Sequence, residues 1–310
     1  MKKAFPQKII VIVGPTSSGK SDLAVIVAQK IKGEIVSADS RQVYKGMDIG
    51  TGKITKKEMH GIPHHLINVA SPKQKYSVAK YKREAEKAIR SIVNRGNIPI
   101  VCGGTGFYIQ AIVDDIVFPE VKSNSNLRKK LSKLSPEELF LELKKIDENR
   151  AQKIDPHNPH RLIRAIEIAT ELGSVPPVKS KTQNNYEILQ IGIKTDDDIL
   201  KERIHQRLLA RLRRGMTKEV KNLNEGGVSW KRMTELGLEY KFVSSFLKSE
   251  ISKKEMVEQL NTAIWQYAKR QKTWFKKDKR IKWFSREEKE KIEKEIENFL
   301  FPKSPKNTTD

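Results

Sequence analysis

The stretch Ile9-Ile10-Val11-Ile12-Val13-Gly14-Pro15-Thr16-Ser17-Ser18-Gly19-Lys20-Ser21 decides the fold. The apolar run reads as a buried strand, the glycine-framed octapeptide as a loop, and Asp22 to Lys32 as a helix. Strand, loop and helix in that order make a P-loop. Its glycines permit a tight wrap that aims several backbone N–H groups at phosphate oxygens, and the positive end of the helix dipole points to the same place. Lys20 adds a mobile cation, and the Ser21 hydroxyl is placed to ligate a Mg²⁺ bridging those oxygens. Gly14, Pro15, Thr16, Ser17, Ser18, Gly19, Lys20 and Ser21 are therefore the expected phosphate-binding set, with Ser21 as the metal contact. The loop leaves open which phosphorylated molecule it holds.

A chain of 310 residues can bury a full core, and one large α/β domain with a smaller unit is expected. Lys and Arg number 61 against 38 Asp and Glu, a net charge of +23 that points to a polyanionic partner, nucleic acid first. Lys-rich solvated helices are the competing source of such a sum. The single cysteine, Cys102, excludes an internal disulfide framework, fits a reducing cytoplasm, and reads as inert core in an apolar strand. The basic start at Met1-Lys2-Lys3 precedes an apolar run that is short and ends in the phosphate loop, so it reads as a strand and not a secretion signal. No stretch is long enough to span a bilayer.

Glu34 to Ala38 reads as a second strand that throws Asp39, Ser40, Arg41 and Gln42 out at its C-terminal edge. In an open parallel sheet that edge carries the ligand crevice, which places Asp39 near the phosphate loop; a plain turn or helix cap is the other reading. Gly46, Gly50 and Gly52 with Lys53 form a flexible stretch suited to an extended ligand. His60, His64 and His65 follow, but Gly61 and Pro63 interrupt the helix that would put the histidines on one face for zinc. Tyr76 to Val93 is an amphipathic packing helix. Ile98 to Cys102 is a further buried strand, delivering Gly103-Gly104-Thr105-Gly106 to the crevice edge. No Asp or Glu ends this strand, where a hydrolytic P-loop ATPase wants a carboxylate for Mg²⁺.

From 119 to 186 the strand–turn–helix alternation gives way to Leu-, Lys- and Glu-rich helices with proline punctuation, a helical insertion between core segments 1–118 and 187–310. It contains Asn158-Pro159-His160-Arg161-Leu162-Ile163-Arg164, where Pro159 suits a first helical turn. Arg161 and Arg164 lie on one face, able to hold two phosphates or simply solvated. Glu187 to Lys194 returns as a strand, and Asp198 to Leu212 as a helix with Arg203, Arg207 and Arg211 in one cationic stripe. Ala268 to Trp283 interleaves basic residues with Trp274, Phe275 and Trp283. The aromatics read equally as stacking surfaces for RNA or as core anchors. Lys289 to Phe301 is a closing helix, and 302–310 reads as a disordered tail.

Together these stretches resemble the tRNA dimethylallyltransferase family. The resemblance rests on GPTSSGKS at 14–21, SADSRQVYKGMDIGTGK at 37–53, PHHLIN at 63–68, GGTGFYI at 103–109, NPHRLIRAIE at 158–167, RIHQR at 203–207, LGLEY at 236–240 and AKRQKTWF at 268–275. The P-loop alone is shared by many NTPases; the ordered set of eight is specific. The resemblance implies a P-loop α/β catalytic core with a helical insertion contacting tRNA, and transfer of a dimethylallyl group from dimethylallyl diphosphate to N6 of adenine 37, beside the anticodon of tRNAs that read codons beginning with U. It also implies Asp39 as catalytic base, Thr105 at the reaction channel, Lys20 with Arg207 as diphosphate clamp and Ser21 on Mg²⁺. Asp39 to Gln42 and His160 to Arg164 match tRNA-contacting segments, the partner being the anticodon stem-loop and the protein a cytoplasmic monomer with no membrane contact. Asn68 departs from the family pattern, which usually has Asp there. From the residues alone, a small-molecule or nucleotide kinase with Asp39 as base, or an RNA-binding ATPase, stays open.

Overall fold

The apolar run at the head of the chain becomes β1 (Gln7–Val13), whose last five residues are fully buried, and the chain turns through the phosphate loop into α1 (Lys20–Ile31). The computed structural model describes residues 7–177, 179–180 and 186–302. The tail expected at 302–310 lies, apart from Pro302, outside them. Next come β2 (Gly33–Ser37), β3 (His64–His65), α2 (Val78–Asn94), β4 (Ile98–Gly103) and α3 (Gly106–Val113). The chain then forms β5 (Ile116–Val117), α4 (Ser125–Leu131), α5 (Pro136–Ile146), α6 (Glu148–Ala151), α7 (Pro159–Leu172) and β6 (Lys179–Ser180). It returns as β7 (Tyr186–Ile193), followed by α8 (Asp197–Arg213), α9 (Met216–Glu225), α10 (Trp230–Leu236), α11 (Leu238–Leu247) and α12 (Lys253–Lys276). β8 (Ile281–Phe284) and α13 (Lys289–Leu300) close the described chain.

Contacts divide the chain into two compact units, one built from residues up to 115 and from 183 onward, the other from 116–182. In the first, six strands run parallel in the order β3-β2-β4-β1-β7-β8. Alternation along β1 supplies both faces of this sheet: Ile10 and Ile12 pack with α1 and α13, while Ile9, Val11 and Val13 join the larger core with α2, α3 and α8 to α12. Burial on both sides explains why the central strands read as unbroken apolar runs. β8 was not expected, because Ile281, Trp283 and Phe284 sit inside the basic run; pairing of Gln190 with Ile281 through Ile193 with Phe284 adds it to the sheet edge.

The second unit packs α4 to α7 around Leu139, Leu143, Leu162 and Ile166, with β5 and β6 as an antiparallel ribbon. Ser135 starts α5 with a capping box, and Asn158 caps α7 ahead of Pro159. Among the described residues, no helix is long and apolar enough to cross a membrane.

Candidate active site

The C-terminal ends of β1, β2 and β4 converge because the backbone after β2 is zipped to the backbone after β4. Ala38 N donates to Cys102 O at 2.8 Å, Thr105 N donates to Ala38 O at 3.1 Å, and a Cβ on Gly103 would meet Ala38 O at 2.2 Å. Only glycine allows that approach. It brings Thr105 beside Ser40, whose N–H donates to Thr105 Oγ1 at 3.0 Å. Asp39 closes the turn with one oxygen: Oδ1 accepts from Arg41 N (2.8 Å) and Gln42 N (3.3 Å), while Oδ2 makes no hydrogen bond among the described residues. The turn reading accounts for one oxygen and leaves the other free.

Gly19 caps α1 in the left-handed conformation (φ 88°), and the side chain of Lys20 folds back to donate to Pro15 O at 3.0 Å. Burial pulls the Lys20 pKa below the ordinary lysine value; Cys102 and Asp39 pull it back up, and Arg207 pushes it down. Asp39 and Arg207 thus each lie within electrostatic reach of Lys20. Burial and the neighbouring Arg211 lower the Arg207 pKa, and its guanidinium stays charged at physiological pH. Cys102 is buried, its thiol pushed up to about 11, as an inert core thiol should be.

The cationic stripe of α8 is not uniform. Arg211 donates to Gly50 O (2.7 Å) and pairs with Glu239 (2.9 Å), so it is a structural strut, whereas Arg207 Nη2 lies 3.3 Å from where a Cβ on Gly52 would stand. The glycine-rich stretch is held from α9: Glu219 accepts the N–H groups of Asp48, Ile49 and Gly50 at 2.8, 2.6 and 2.9 Å and the Tyr240 hydroxyl at 2.8 Å. Buried Lys53 donates to Tyr44 O, Asp48 and Asn68 Oδ1. Asn68 thus supplies an amide oxygen to a buried ammonium. The histidines are held structurally, His64 Nδ1 on Ile62 O and His65 Nε2 on Glu34.

Four residues escaped the sequence reading. Gln271 on α12 staples the crevice edge, its Oε1 accepting Thr16 N–H (2.8 Å) and its Nε2 donating to Gly104 O (2.7 Å). One turn earlier, Tyr267 interacts with Thr105; burial and the Asp39 charge push its pKa up to about 12. Arg286, after β8, covers Gly19 (Nε 3.1 Å from a would-be Cβ) and pairs with Asp22. Glu219 is the fourth. A polar residue on an otherwise buried face, as at Gln271, was the one available signal; Tyr267, Arg286 and Glu219 had none.

A family model described as IPP transferase matches residues 42–278. The tRNA dimethylallyltransferase of Thermoanaerobacter sp. (strain X514) is 42% identical over 287 residues, covering 89% of this chain and 91% of its own. The full-length tRNA isopentenylpyrophosphate transferase of Bacillus halodurans has a solved structure that is 34% identical, covers 95% of this chain and 97% of its own, and superposes with a TM-score of 0.72. The chain belongs to the tRNA dimethylallyltransferase family. A eukaryotic dimethylallyltransferase solved acting on tRNA is also similar, 32% identical with a TM-score of 0.73 over 86% of this chain and 69% of that one.

Set against this tRNA dimethylallyltransferase family, the five residues His160 to Arg164 do not form one contact surface. They sit on α7, where His160 and Arg161 are exposed, Leu162 is fully buried in the core of the second unit, and Ile163 packs against it. The Leu162 side chain is part of the core, as helical periodicity dictates, so it offers RNA no side-chain contact. Arg164 is half-exposed but already engaged, donating to Glu167 (3.2 Å) and Val121 O (3.0 Å), unlike the exposed Arg161. In the basic run, Phe275 is buried and Trp283 packs on the core, leaving Trp274 as the exposed aromatic of the three. Lys272, Arg280 and Lys282 are paired with Asp197, with Asp114 and Asp278, and with Glu295.

Proposed function

We propose that the chain transfers a dimethylallyl group from dimethylallyl diphosphate to N6 of adenine 37, beside the anticodon of tRNAs reading codons that begin with U, in the cytoplasm. The observation that carries this reading is the open carboxylate oxygen of Asp39 on the turn after β2, with Asp39 and Arg207 each within electrostatic reach of Lys20 in the phosphate loop.

The N6 lone pair is delocalised into the purine ring and is a poor nucleophile, while the allylic carbon becomes electrophilic only as diphosphate departs. Leaving-group stabilisation therefore dominates the barrier. The loop amides from Ser17 to Ser21, the Lys20 ammonium and the Arg207 guanidinium neutralise the charge that develops on the departing oxygens, the largest kind of catalytic contribution an enzyme makes. Arg286, poised over Gly19, adds a further cation on that side. Asp39 Oδ2 accepts the N6 proton as the C–N bond forms, an effect typically worth about two to four powers of ten. Tyr267 remains protonated at neutral pH and lies beside Thr105, where the two hydroxyls position the entering base.

Among the described residues, no cluster of three His, Cys, Asp or Glu side chains could hold a metal. Mg²⁺ keeps most of its waters and binds through substrate phosphates with few protein ligands; Ser21 would hold it. Bound there, it would supply further neutralisation of the diphosphate. The adenine has to leave its stack to reach Asp39, which costs roughly a few kcal/mol and is easier in a loop than in a duplex.

The test is incubation of the protein with anticodon stem-loop RNA, Mg²⁺ and either dimethylallyl diphosphate or ATP, with mass analysis of the nucleosides. One prenyl unit gained on adenosine is expected; turnover with ATP alone would sink the proposal.

A further inference from the structure

A cavity of about 20 Å³ lies where the first turn of α1 meets the ends of β2 and β4; Ser21, Ser37, Gln42, His64 and Cys102 supply its polar lining. That volume admits one water and nothing larger. No carboxylate lines it, which selects a neutral guest over a bare cation. The polar groups there are short of partners. Ser37 is 5% exposed, yet its hydroxyl makes no hydrogen bond among the described residues, and neither does the Gln42 amide. His64 Nδ1 lies 2.8 Å from Ile62 O; a carbonyl only accepts, so Nδ1 carries the proton and Nε2 is left as an acceptor. Burial lowers the His64 pKa, and the ring is neutral at physiological pH. Unlike Ser18 Oγ, which is sealed inside the loop, these groups open onto the cavity.

Ser21 needs what such a guest offers. A hydroxyl has one hydrogen and two lone pairs, so one that lends a lone pair to a cation must direct its hydrogen to an acceptor on the other side. β4 ends in Cys102 and Gly103, and no strand-end carboxylate takes that hydrogen. The Cys102 thiol, which Ser21 meets, is a weak acceptor and itself turns toward Lys20 O at 3.7 Å.

We propose that one ordered water fills this cavity and that His64 is a positioning residue, its Nε2 fixing the direction of the Ser21 hydroxyl through that water. The water accepts from the Ser21 and Ser37 hydroxyls and donates to His64 Nε2 and the Gln42 amide oxygen. Four hydrogen bonds complete its own capacity and give each of the four side chains a partner. An outer partner that orients a metal contact is worth about a tenfold change in metal affinity or more. The proposal rests on Ser21 as the Mg²⁺ contact of a diphosphate cradle and not on which group is transferred.

The experiment is calorimetric titration of pyrophosphate into the full chain at a series of Mg²⁺ concentrations, joined to a high-resolution crystal structure of the wild type. A water within hydrogen-bond distance of both Ser21 Oγ and His64 Nε2 is expected in the crystal. His64→Asn keeps an amide donor for Ile62 O and removes the acceptor from the cavity. It should weaken pyrophosphate affinity about tenfold with Mg²⁺ and leave it within about twofold without. Ser37→Ala should act in the same direction, and the double variant should lose no more than the larger single loss, because both side chains act through one water. Thermal melting checks each fold; should His64→Asn fail to fold, Ser37→Ala and the wild-type crystal decide. A crystal lacking that water, a His64→Asn affinity like the wild type, a loss equal with and without Mg²⁺, or additive losses overturns the proposal. A wild type whose pyrophosphate affinity ignores Mg²⁺ fails the cradle reading instead, and the crystal alone then decides the cavity.

Discussion

Two carboxylates, one in the crevice and one in α7, differ in how many donors they already have. Glu167 is buried and saturated: Arg128 grips it with two bonds of 2.6 Å, Arg164 adds a third at 3.2 Å, and Asn124 N a fourth at 3.0 Å. Asp39 is half-buried and spends one oxygen on two backbone N–H groups, keeping the other open. Saturation makes a carboxylate part of the scaffold, and an open oxygen makes it available for chemistry. Glu34 belongs with Glu167, being held by Arg95, Asn97 and His65.

Four measurements can break or sharpen this contrast. The largest effect is expected from Asp39→Ala, which should lower the single-turnover prenylation rate by about two to four powers of ten while RNA affinity holds within a few-fold. A wild-type rate in that variant would remove the role given to Asp39. The acid limb of the stability profile comes second. Burial alone would raise the Glu34 pKa, but its hydrogen bonds to Arg95, Asn97 and His65 override that and hold it at about 2. A depressed carboxyl stabilises the fold above its unfolded pKa of 4.5 and loses that contribution as pH falls toward about 2. The amount is of order 3 kcal/mol. Denaturant titrations of the wild type and Glu34→Gln should therefore converge at the acid end of that window.

Third, Glu167→Ala should cost roughly 2–3 kcal/mol, less than a fully buried pair because Arg128 and Arg164 are each 35% exposed and can reach water. Hydrogen exchange should place the loss in 116–182, with α1 and β1 unaffected. The smallest effect belongs to Arg161→Ala: a fall of roughly tenfold or less in RNA affinity, and a salt dependence shallower by about one unit of slope. An equal effect from Leu162→Ser on a folded protein would mean that α7 presents a different face.

The same contrast explains what could be read from sequence. The phosphate loop was legible because a loop presents consecutive residues to one ligand, and β1, β2, β4 and β7 were legible as apolar runs. The α7 motif was only partly legible because a helix sends neighbours to opposite sides, so Leu162 went into the core while Arg161 stayed exposed. β8 was hidden because it is only four residues long, contains Lys282 and follows directly on the basic stretch that ends at Arg280. Gln271, Tyr267 and Arg286 reach the crevice from distant parts of the sequence, carried by α12 and the turn after β8, and no local pattern encodes that meeting. Asn68 was a departure without a reason until Lys53 was seen to donate to it.

The turn at 48–50 has a consequence for selectivity among anions. Three consecutive amides converging on one carboxylate form an anion nest, and Glu219 plugs it from within. A tethered plug acts at a high effective concentration, so dissolved phosphate competes poorly for those amides. The molecule thereby keeps the 48–50 turn closed to the phosphates of a polyanion.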